Sequence, residues 1–210
     1  DDFEQVNMKK GNWLVLARTK FMLSDLEDTL YSQGLYYQNK FKTNREQDLY
    51  TAVNDWENLR KGVDINHDQI SRISSYMSEK HFEKNSLKYM DKDARHTMQS
   101  LRERMWLKTN DVWYNAFDNA PQKKVRYIRR MRENGEKLNS TPRITLSTIH
   151  GVKGGEQDNV VLLTDLSRNT QRNYEQNPDD ENRLFYVGAT RTKNHLHIIR
   201  PKDIYKGYKI

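Results

Sequence analysis

Two arginines and one glycine-rich polar loop are the residues of this sequence best suited to hold a phosphate-bearing ligand. The loop, 148–156, carries a threonine, a histidine, a lysine, a glutamate and three glycines. Glycine lets a ligand approach the backbone closely, and the polar side chains can donate to phosphates or accept from a ribose. Arg18 and Arg191 each offer paired donors in a fixed fork. The alternative needs no ligand: the loop is then an ordinary turn between two strands, and each arginine is a surface or salt-bridge residue.

Apolar runs predict the strands that position these groups. In an open parallel sheet, ligands bind beyond the carboxyl ends of the strands. Arg18 directly follows one run and the polar loop follows another, whereas Arg191 comes at the end of a helix before the last run. Strands are predicted at 13–17, 35–37, 143–147, 159–164 and 196–199.

Helical spacing predicts the elements that cover this sheet. Phe21, Leu23, Leu26 and Leu30 form an apolar stripe that ends at Gly34, a good C-cap. One helix is predicted between the last two strands. It has Asn177 as its cap and Pro178 as its first residue, and its apolar side is formed by Leu184, Phe185, Val187 and Gly188.

The middle of the chain reads as mostly helical, with few strand signals. One helix ends at Lys61-Gly62, Asn66 begins the next, and a basic helix between Pro121 and Gly135 has a narrow stripe of Val125, Ile128 and Met131. We therefore predict an α/β fold, a parallel sheet with flanking helices, formed by 1–43 and 141–210. Residues 44–140 form a helical insertion between the second and third strands.

Positive charge is concentrated in one segment. The chain has a net charge of +7, and 84–137 holds 14 Lys and Arg against 7 Asp and Glu, a surplus equal to that of the whole chain. A local basic excess favours a polyanion partner such as nucleic acid, although a soluble basic helical segment is an equal alternative. Trp106, Trp113 and Tyr114 lie in this segment and either stack on bases or, as we favour, pack in a core.

Metal and membrane sites are not indicated. The chain has no cysteine and its six histidines have no zinc-site spacing, so we expect no metal ligands. No apolar run approaches the roughly 20 residues of a membrane span, and the start, DDFEQVNMKKG, has neither an initiator Met nor a signal-peptide pattern. The start looks like a point where a longer protein was cut or where a tag was trimmed, and we expect a cytoplasmic protein of bacterial or phage type.

Three stretches, in the same order, resemble motifs of superfamily 1 DNA helicases of the UvrD/Rep/PcrA type. TLSTIHGVKGGEQDNVVLL resembles the T-x-H-x-x-K-G-x-E motif and its strand. ENRLFYVGATRTKNHLHI resembles the last motif, E-x-R-L-x-Y-V-x-x-T-R-A, and WLVLARTKFMLSDLEDTL resembles an earlier strand that ends in arginine. The resemblance spans 11–40 and 141–200 and implies the second RecA-like motor domain. Residues 45–140 match only the position of the family's accessory domain.

The resemblance also implies a role for each matched residue. At the nucleotide, Arg191 matches the γ-phosphate arginine, Arg18 a second arginine near that phosphate, and Glu156 the glutamate that accepts from the ribose. At the DNA strand, the matching residues are Thr148 and His150, with Lys153 and Gly154 in the loop that joins the two sites. Gly155 stands where the family usually has Leu, which predicts a looser loop around Glu156.

These roles imply the C-terminal part of an ATP-dependent DNA helicase of repair or replication. ATP and Mg²⁺ would be bound mainly by an N-terminal motor domain of the same protein, and the DNA partner would be single-stranded or partly duplex. The sequence contains no G-x-x-x-x-G-K-[ST] phosphate loop, so we expect no ATP hydrolysis by this chain alone. The alternatives are a nucleic-acid-binding or regulatory module without motor activity, and a protein-interaction domain that docks an acidic partner.

Overall fold

The chain folds into two compact units, each with its own apolar core. The computed structural model describes residues 2–42, 47–137, 140–152, 154–203 and 205–209. Unit 1 comprises Asp1–Asn44, Glu133–Glu136 and Thr141–Ile210, and unit 2 comprises Arg45–Arg132 and Lys137–Ser140. None of the helices in the described part is long and apolar enough to cross a membrane.

Unit 1 is built on one five-stranded sheet in which every pairing is parallel. The strand order is β2-β3-β1-β4-β5, so β1 lies at the centre. This sheet, with helices on its faces, confirms the predicted α/β, RecA-like fold. The strands are β1 (Trp13–Ala17), β2 (Tyr37–Asn39), β3 (Ile144–Thr148), β4 (Gln157–Leu163) and β5 (Thr192–Ile199).

Alternate residues of β1 belong to two different cores, one on each face of the sheet. Val15 packs with the helix that follows β1, whose buried side chains include Leu26 and Leu30. Leu14 and Leu16 pack on the other face. A strand buried on both faces needs a continuous apolar run, which is why this strand was visible in the sequence.

The helices of unit 1 are α1 (Leu23–Gln33), α7 (Arg168–Gln176) and α8 (Pro178–Ala189). Gly34 ends α1 in the left-handed conformation with φ 68°, and Pro178 is the first residue of α8, as predicted. Two predictions were wrong. Two helices, not one, lie between β4 and β5, and Phe21 is 66% exposed in a 3₁₀ turn before α1 rather than part of its buried stripe.

Unit 2 packs short helices around buried aromatic side chains, among them Trp56, Phe82 and Phe117. Asn66 caps the second of these helices: its side chain accepts from Gln69 N, and the Gln69 side chain accepts from Asn66 N. The helices are α2 (Gln47–Arg60), α3 (His67–Ser75), α4 (Met98–Glu103), α5 (Trp113–Ala116) and α6 (Gln122–Glu133). The stretch between α3 and α6 is less helical than predicted. It consists largely of turns and two short helices, and the buried Phe82 lies in an isolated β-bridge with Leu107.

Candidate functional site

Three of the predicted site residues meet at the carboxyl end of the central strands. The register pairs Ala17 of β1 with Thr148 of β3, so Arg18 and the residues after Thr148 leave the sheet side by side. Ile149 N donates to Ala17 O at 3.0 Å, which extends this pairing by one residue. His150 then lies exposed at the start of a 3₁₀ turn, His150–Val152.

Arg18 is held by an acidic residue at the start of α8. Its Nε and Nη2 donate to the two carboxylate oxygens of Glu181, both at 2.8 Å. The Glu181 side chain is 5% exposed and that of Arg18 is 19% exposed. A bidentate pair of this kind fixes the orientation of the guanidinium. Arg18 therefore joins the end of β1 to the first turn of α8.

Thr148 has a local structural task. Its side chain is buried, and its Oγ1 accepts a hydrogen bond from Gly151 N at 3.1 Å. A Cβ atom at residue 151 would lie 2.9 Å from Ser147 Oγ and 3.1 Å from Thr148 Oγ1. Only glycine lets the loop turn this tightly over the end of β3. Thr148 thus sets the path of the loop on which His150 is exposed.

An open cavity of about 670 Å³ lies at this end of the sheet. Basic and acidic groups line it together, Arg18 and His150 with Asp180 and Glu181, beside the apolar Leu184. Amide side chains of α7 and of the turn that follows complete the wall: Asn173, Gln176 and Asn177. A polar, open cavity of mixed charge suits a ligand with both phosphate and hydrogen-bonding groups.

Glu156 and Arg191 meet at the opposite end of the sheet. Each immediately precedes a strand, β4 and β5 respectively, and Gln157 N donates to Arg191 O at 3.0 Å. Glu156 is exposed and Arg191 half-buried. The Arg191 Nε donates to Val187 O at 3.0 Å, so the guanidinium lies against the last turn of α8. A cation there also interacts favourably with the negative end of the helix dipole.

The predicted residues therefore form two groups, one at each end of the sheet. β4 has seven residues, so the two ends of the sheet lie about 20 Å apart at roughly 3.3 Å per residue. Arg18 belongs to the end with His150, and Arg191 to the end with Glu156. The cavity lined by Arg18 also reaches Val187, whose carbonyl oxygen accepts from Arg191 Nε.

The loop between β3 and β4 joins the two ends. It leaves Thr148 at the carboxyl end and reaches Glu156 at the amino end, while Ile149 and Val152 pack in the core below it. Gly154 has φ +78°, a left-handed conformation that favours glycine. Lys153, the remaining predicted residue of this loop, lies outside the described residues.

Sequence reasoning missed several residues of the cavity. Glu181 was visible only as an acidic residue at a helix start, and its pairing with Arg18 joins residues 163 positions apart. Asn173 and Gln176 lie on α7, which has no apolar stripe in the sequence. A capping serine was the available signal: Ser167 Oγ accepts from Thr170 N at 3.2 Å.

The aromatic residues of the basic segment divide between core and surface. Trp113 is buried, as favoured, while Trp106 is half-buried with the Arg104 guanidinium 5.0 Å from its ring centroid. Tyr114 is 37% exposed, and the Arg129 guanidinium lies 4.6 Å from its ring centroid.

Comparison with known families gives one match, which covers nearly the whole chain. Residues 4–203 match the family described as UvrD-like helicase C-terminal domain. A search of curated proteins found no match. The matched range includes both ends of the sheet and the loop that joins them, in agreement with the resemblance of the three motifs. The chain belongs to the family of UvrD-like helicase C-terminal domains.

Proposed function

We propose that this chain is the C-terminal part of an ATP-dependent DNA translocase, with a nucleotide at the amino end of its sheet and single-stranded DNA at the carboxyl end. One observation carries the proposal. The 149–156 loop runs from the end with exposed His150 to the end with exposed Glu156, next to Arg191. A movement of this loop when a ligand binds at one end of the sheet would therefore shift the residues at the other end.

The amino end fits part of a nucleotide site. Arg191 offers a fork of donors for the charge that develops on phosphoryl oxygens during transfer, and Glu156 offers a carboxylate that a ribose hydroxyl can donate to. A phosphate cradle and carboxylates for Mg²⁺ are also needed for this chemistry. We assign these to the N-terminal motor domain of the same protein, so this chain does not hydrolyse ATP by itself.

The carboxyl end fits a nucleic-acid strand. His150 is exposed there, and the cavity beside it presents arginine and amide donors. Lys153 is proposed to contact the same strand. Arg18 is held by Glu181 beside His150, and its assignment to the γ-phosphate, which the resemblance implies, stays a prediction.

The basic surface of unit 2 is proposed as a second, non-specific DNA contact. Along α6 the apolar side chains Val125, Ile128 and Met131 are buried, while Arg126 and Arg129 are exposed. Phosphate contacts of this kind weaken steeply as salt rises. If the DNA affinity of the isolated chain does not change with salt, this surface is not a DNA contact.

The test is made in the full-length protein, with its upstream motor domain. Arg191→Ala is expected to lower DNA-stimulated ATP hydrolysis by about 10³- to 10⁵-fold, the usual contribution of an arginine at the γ-phosphate. Affinity for single-stranded DNA without nucleotide is expected to stay within about 2-fold, which is under 0.5 kcal/mol. Arg168→Ala, an exposed arginine of α7 outside the cavity, is the matched control.

Two outcomes would reject this function. Retention of hydrolysis in Arg191→Ala would remove the arginine from the nucleotide site. A wild-type protein that binds DNA but has no ATP hydrolysis at all would favour the alternative, a nucleic-acid-binding module that keeps the helicase fold without motor activity.

A further inference from the structure

Two aromatic side chains at the carboxyl end of the sheet are exposed without a role in the core. Phe21 is 66% exposed in the Lys20–Met22 turn that follows Arg18 and Thr19. Phe41 is 37% exposed two residues after β2, the strand next to β3. Single exposed apolar side chains are common on protein surfaces, but both of these rings lie at the proposed DNA end.

Phe41 is in direct contact with the loop that carries His150. A Cβ atom at residue 151 would lie 3.0 Å from Phe41 Cζ, so the tip of the ring packs against the bare backbone of Gly151. Phe41 N donates to Asn39 Oδ1 at 3.0 Å, which fixes the turn after β2. Gly151, whose N–H donates to Thr148 Oγ1, is therefore also the residue against which the Phe41 ring packs.

Lys20 lies over the face of this ring. Its Nζ is 4.4 Å from the Phe41 centroid, and within the described residues it has no ion pair with a carboxylate. Its neighbour in this region, Lys42, is by contrast paired with Glu27. Lys20 is therefore a cation available to a phosphate, positioned over an aromatic face.

We propose that Lys20, Phe21 and Phe41 form an aromatic patch that binds nucleotides of a single DNA strand at the carboxyl end of the sheet. In the free protein the Lys20 ammonium covers the Phe41 face. When DNA binds, the ammonium turns to a backbone phosphate and a base takes its place on the ring, since base stacking is stronger than an exposed cation–π contact. Phe21 offers a second face for an adjacent base.

A nucleic-acid strand is the occupant that this chemistry favours. The patch combines aromatic faces with a cation that has no ion pair among the described residues. Stacking on aromatic rings beside a basic groove is how proteins bind single strands without reading their sequence. An apolar protein partner would leave the Lys20 ammonium without a counter-charge. The proposal rests on the proposed function in one respect, that DNA binds at this end of the sheet.

The experiment compares two probes on the purified chain. A fluorescent oligothymidylate of about 12 nucleotides, within the usual size of a single-strand site, is titrated beside an abasic strand of the same length. Wild type is expected to prefer the base-bearing strand. The double variant Phe21→Ala/Phe41→Leu is expected to bind it roughly 10- to 100-fold more weakly while binding the abasic strand almost unchanged.

Separate variants isolate the charge and control for folding. Lys20→Met is expected to weaken the binding of both DNA strands. It is also expected to reduce the slope of log affinity against log salt by about 0.7, the value for one phosphate contact to a single strand. Tyr205→Ala removes a ring that is 82% exposed after β5, at the opposite edge of the sheet from β2, and is expected to change neither affinity. Phe41→Leu keeps an apolar side chain against Gly151, and an unchanged thermal midpoint verifies its fold.

The outcomes separate this inference from the function on which it rests. Equal losses on the two strands would reject base stacking, and unchanged binding of both strands would reject the patch as a DNA site while leaving the proposed function intact. If wild type binds neither strand, the DNA end itself is rejected together with the patch.

Discussion

The Arg18 guanidinium and the Glu181 carboxylate form a two-armed ion pair at 2.8 Å and 2.8 Å between the end of β1 and the first turn of α8. Both partners lie at the cavity beside His150. Because Glu181 is almost fully buried, this pair decides how α8 begins, and α8 ends two residues before Arg191. The pair therefore holds the helix whose far end carries the proposed nucleotide arginine.

Removal of either partner is expected to destabilise the chain. Arg18→Ala leaves a buried carboxylate unpaired and is expected to lower the free energy of unfolding by about 3 kcal/mol. Denaturant titration of the purified chain measures this. The double variant Arg18→Met/Glu181→Leu removes both charges and is expected to recover most of the loss. Losses below about 1 kcal/mol for both single variants would show that the pair is only a surface contact.

Substitution by alanine is expected to destabilise the chain at one of the two adjacent glycines of the joining loop and not at the other. At Gly154, φ is +78° and an added Cβ meets nothing within 4 Å, so Gly154→Ala is expected to cost about 1 kcal/mol of stability from backbone strain alone. At Gly155 an added Cβ would lie 3.2 Å from Val152 Cγ2, and φ is not positive. The small packing cost there offsets the entropy gain of about 0.4–1 kcal/mol.

Thermal unfolding of the two variants gives the comparison. Gly155→Ala is expected to stay within about 0.5 kcal/mol of wild type. Equal effects at both positions would mean that the backbone of the loop does not set the cost. Such a result would also weaken the prediction that glycine at 155 loosens the support of Glu156.

The strands of unit 1 were predictable because they are buried on both faces and so appear as apolar runs. The end of α1 at Gly34 and the start of α8 at Pro178 were also predictable. Glycine adopts the left-handed conformation at a helix C-cap, and proline fits the first helical position, independently of the tertiary surroundings. α7 was missed because its single large apolar side chain, Tyr174, gives no periodic stripe. Phe21 was misplaced because its spacing fits a helix that begins only at Leu23.

The composition of the candidate site was partly predictable, but the position of each residue in the sheet was not. Motif order identified Arg18, His150, Glu156 and Arg191 one by one. Whether two of them share an end of the sheet depends on strand register, and the register of β1 with β4 is not encoded in either strand alone. The partner of Arg18 is similarly hidden, because only the packing of α8 brings Glu181 to it.

Gly188 is expected to tolerate only a very small side chain. An added Cβ would lie 3.0 Å from Leu162 Cδ1 and 3.4 Å from Ile149 Cγ2, both in the core beneath α8. Gly188→Ala gains about 1 kcal/mol of helix propensity, which overpacking offsets, so it is expected to be close to neutral. Gly188→Val adds two more methyl groups and is expected to lose about 2–3 kcal/mol.

Urea titration monitored by circular dichroism compares the two Gly188 variants. A Gly188→Val variant as stable as wild type would show that α8 can move away from the sheet at little cost. In the full-length protein that outcome also predicts unchanged ATP hydrolysis, since Arg191 would then not depend on this close approach.

The stability of unit 2 is expected to fall in acid through Asp118. Its partial burial acts to raise the pKa, but hydrogen bonds from the Ser78 hydroxyl and backbone N–H, with positive His81, outweigh it and lower the pKa. A lowered folded pKa means that this contribution is complete above the unfolded value, about 3.9, and is lost as pH falls through the lower folded value. The carboxylate is 34% exposed, so the contribution is expected to be about 1 kcal/mol or less.

Tryptophan fluorescence measures this effect, because Trp56, Trp106 and Trp113 all lie in unit 2; Trp13→Phe removes the remaining signal from unit 1. The difference in unfolding free energy between this background and the same chain with Asp118→Asn is expected to be constant near neutral pH. It should shrink below about pH 4, as the wild-type carboxyl takes up its proton. A difference that stays constant down to pH 2 would show that Asp118 acts through shape and not through charge.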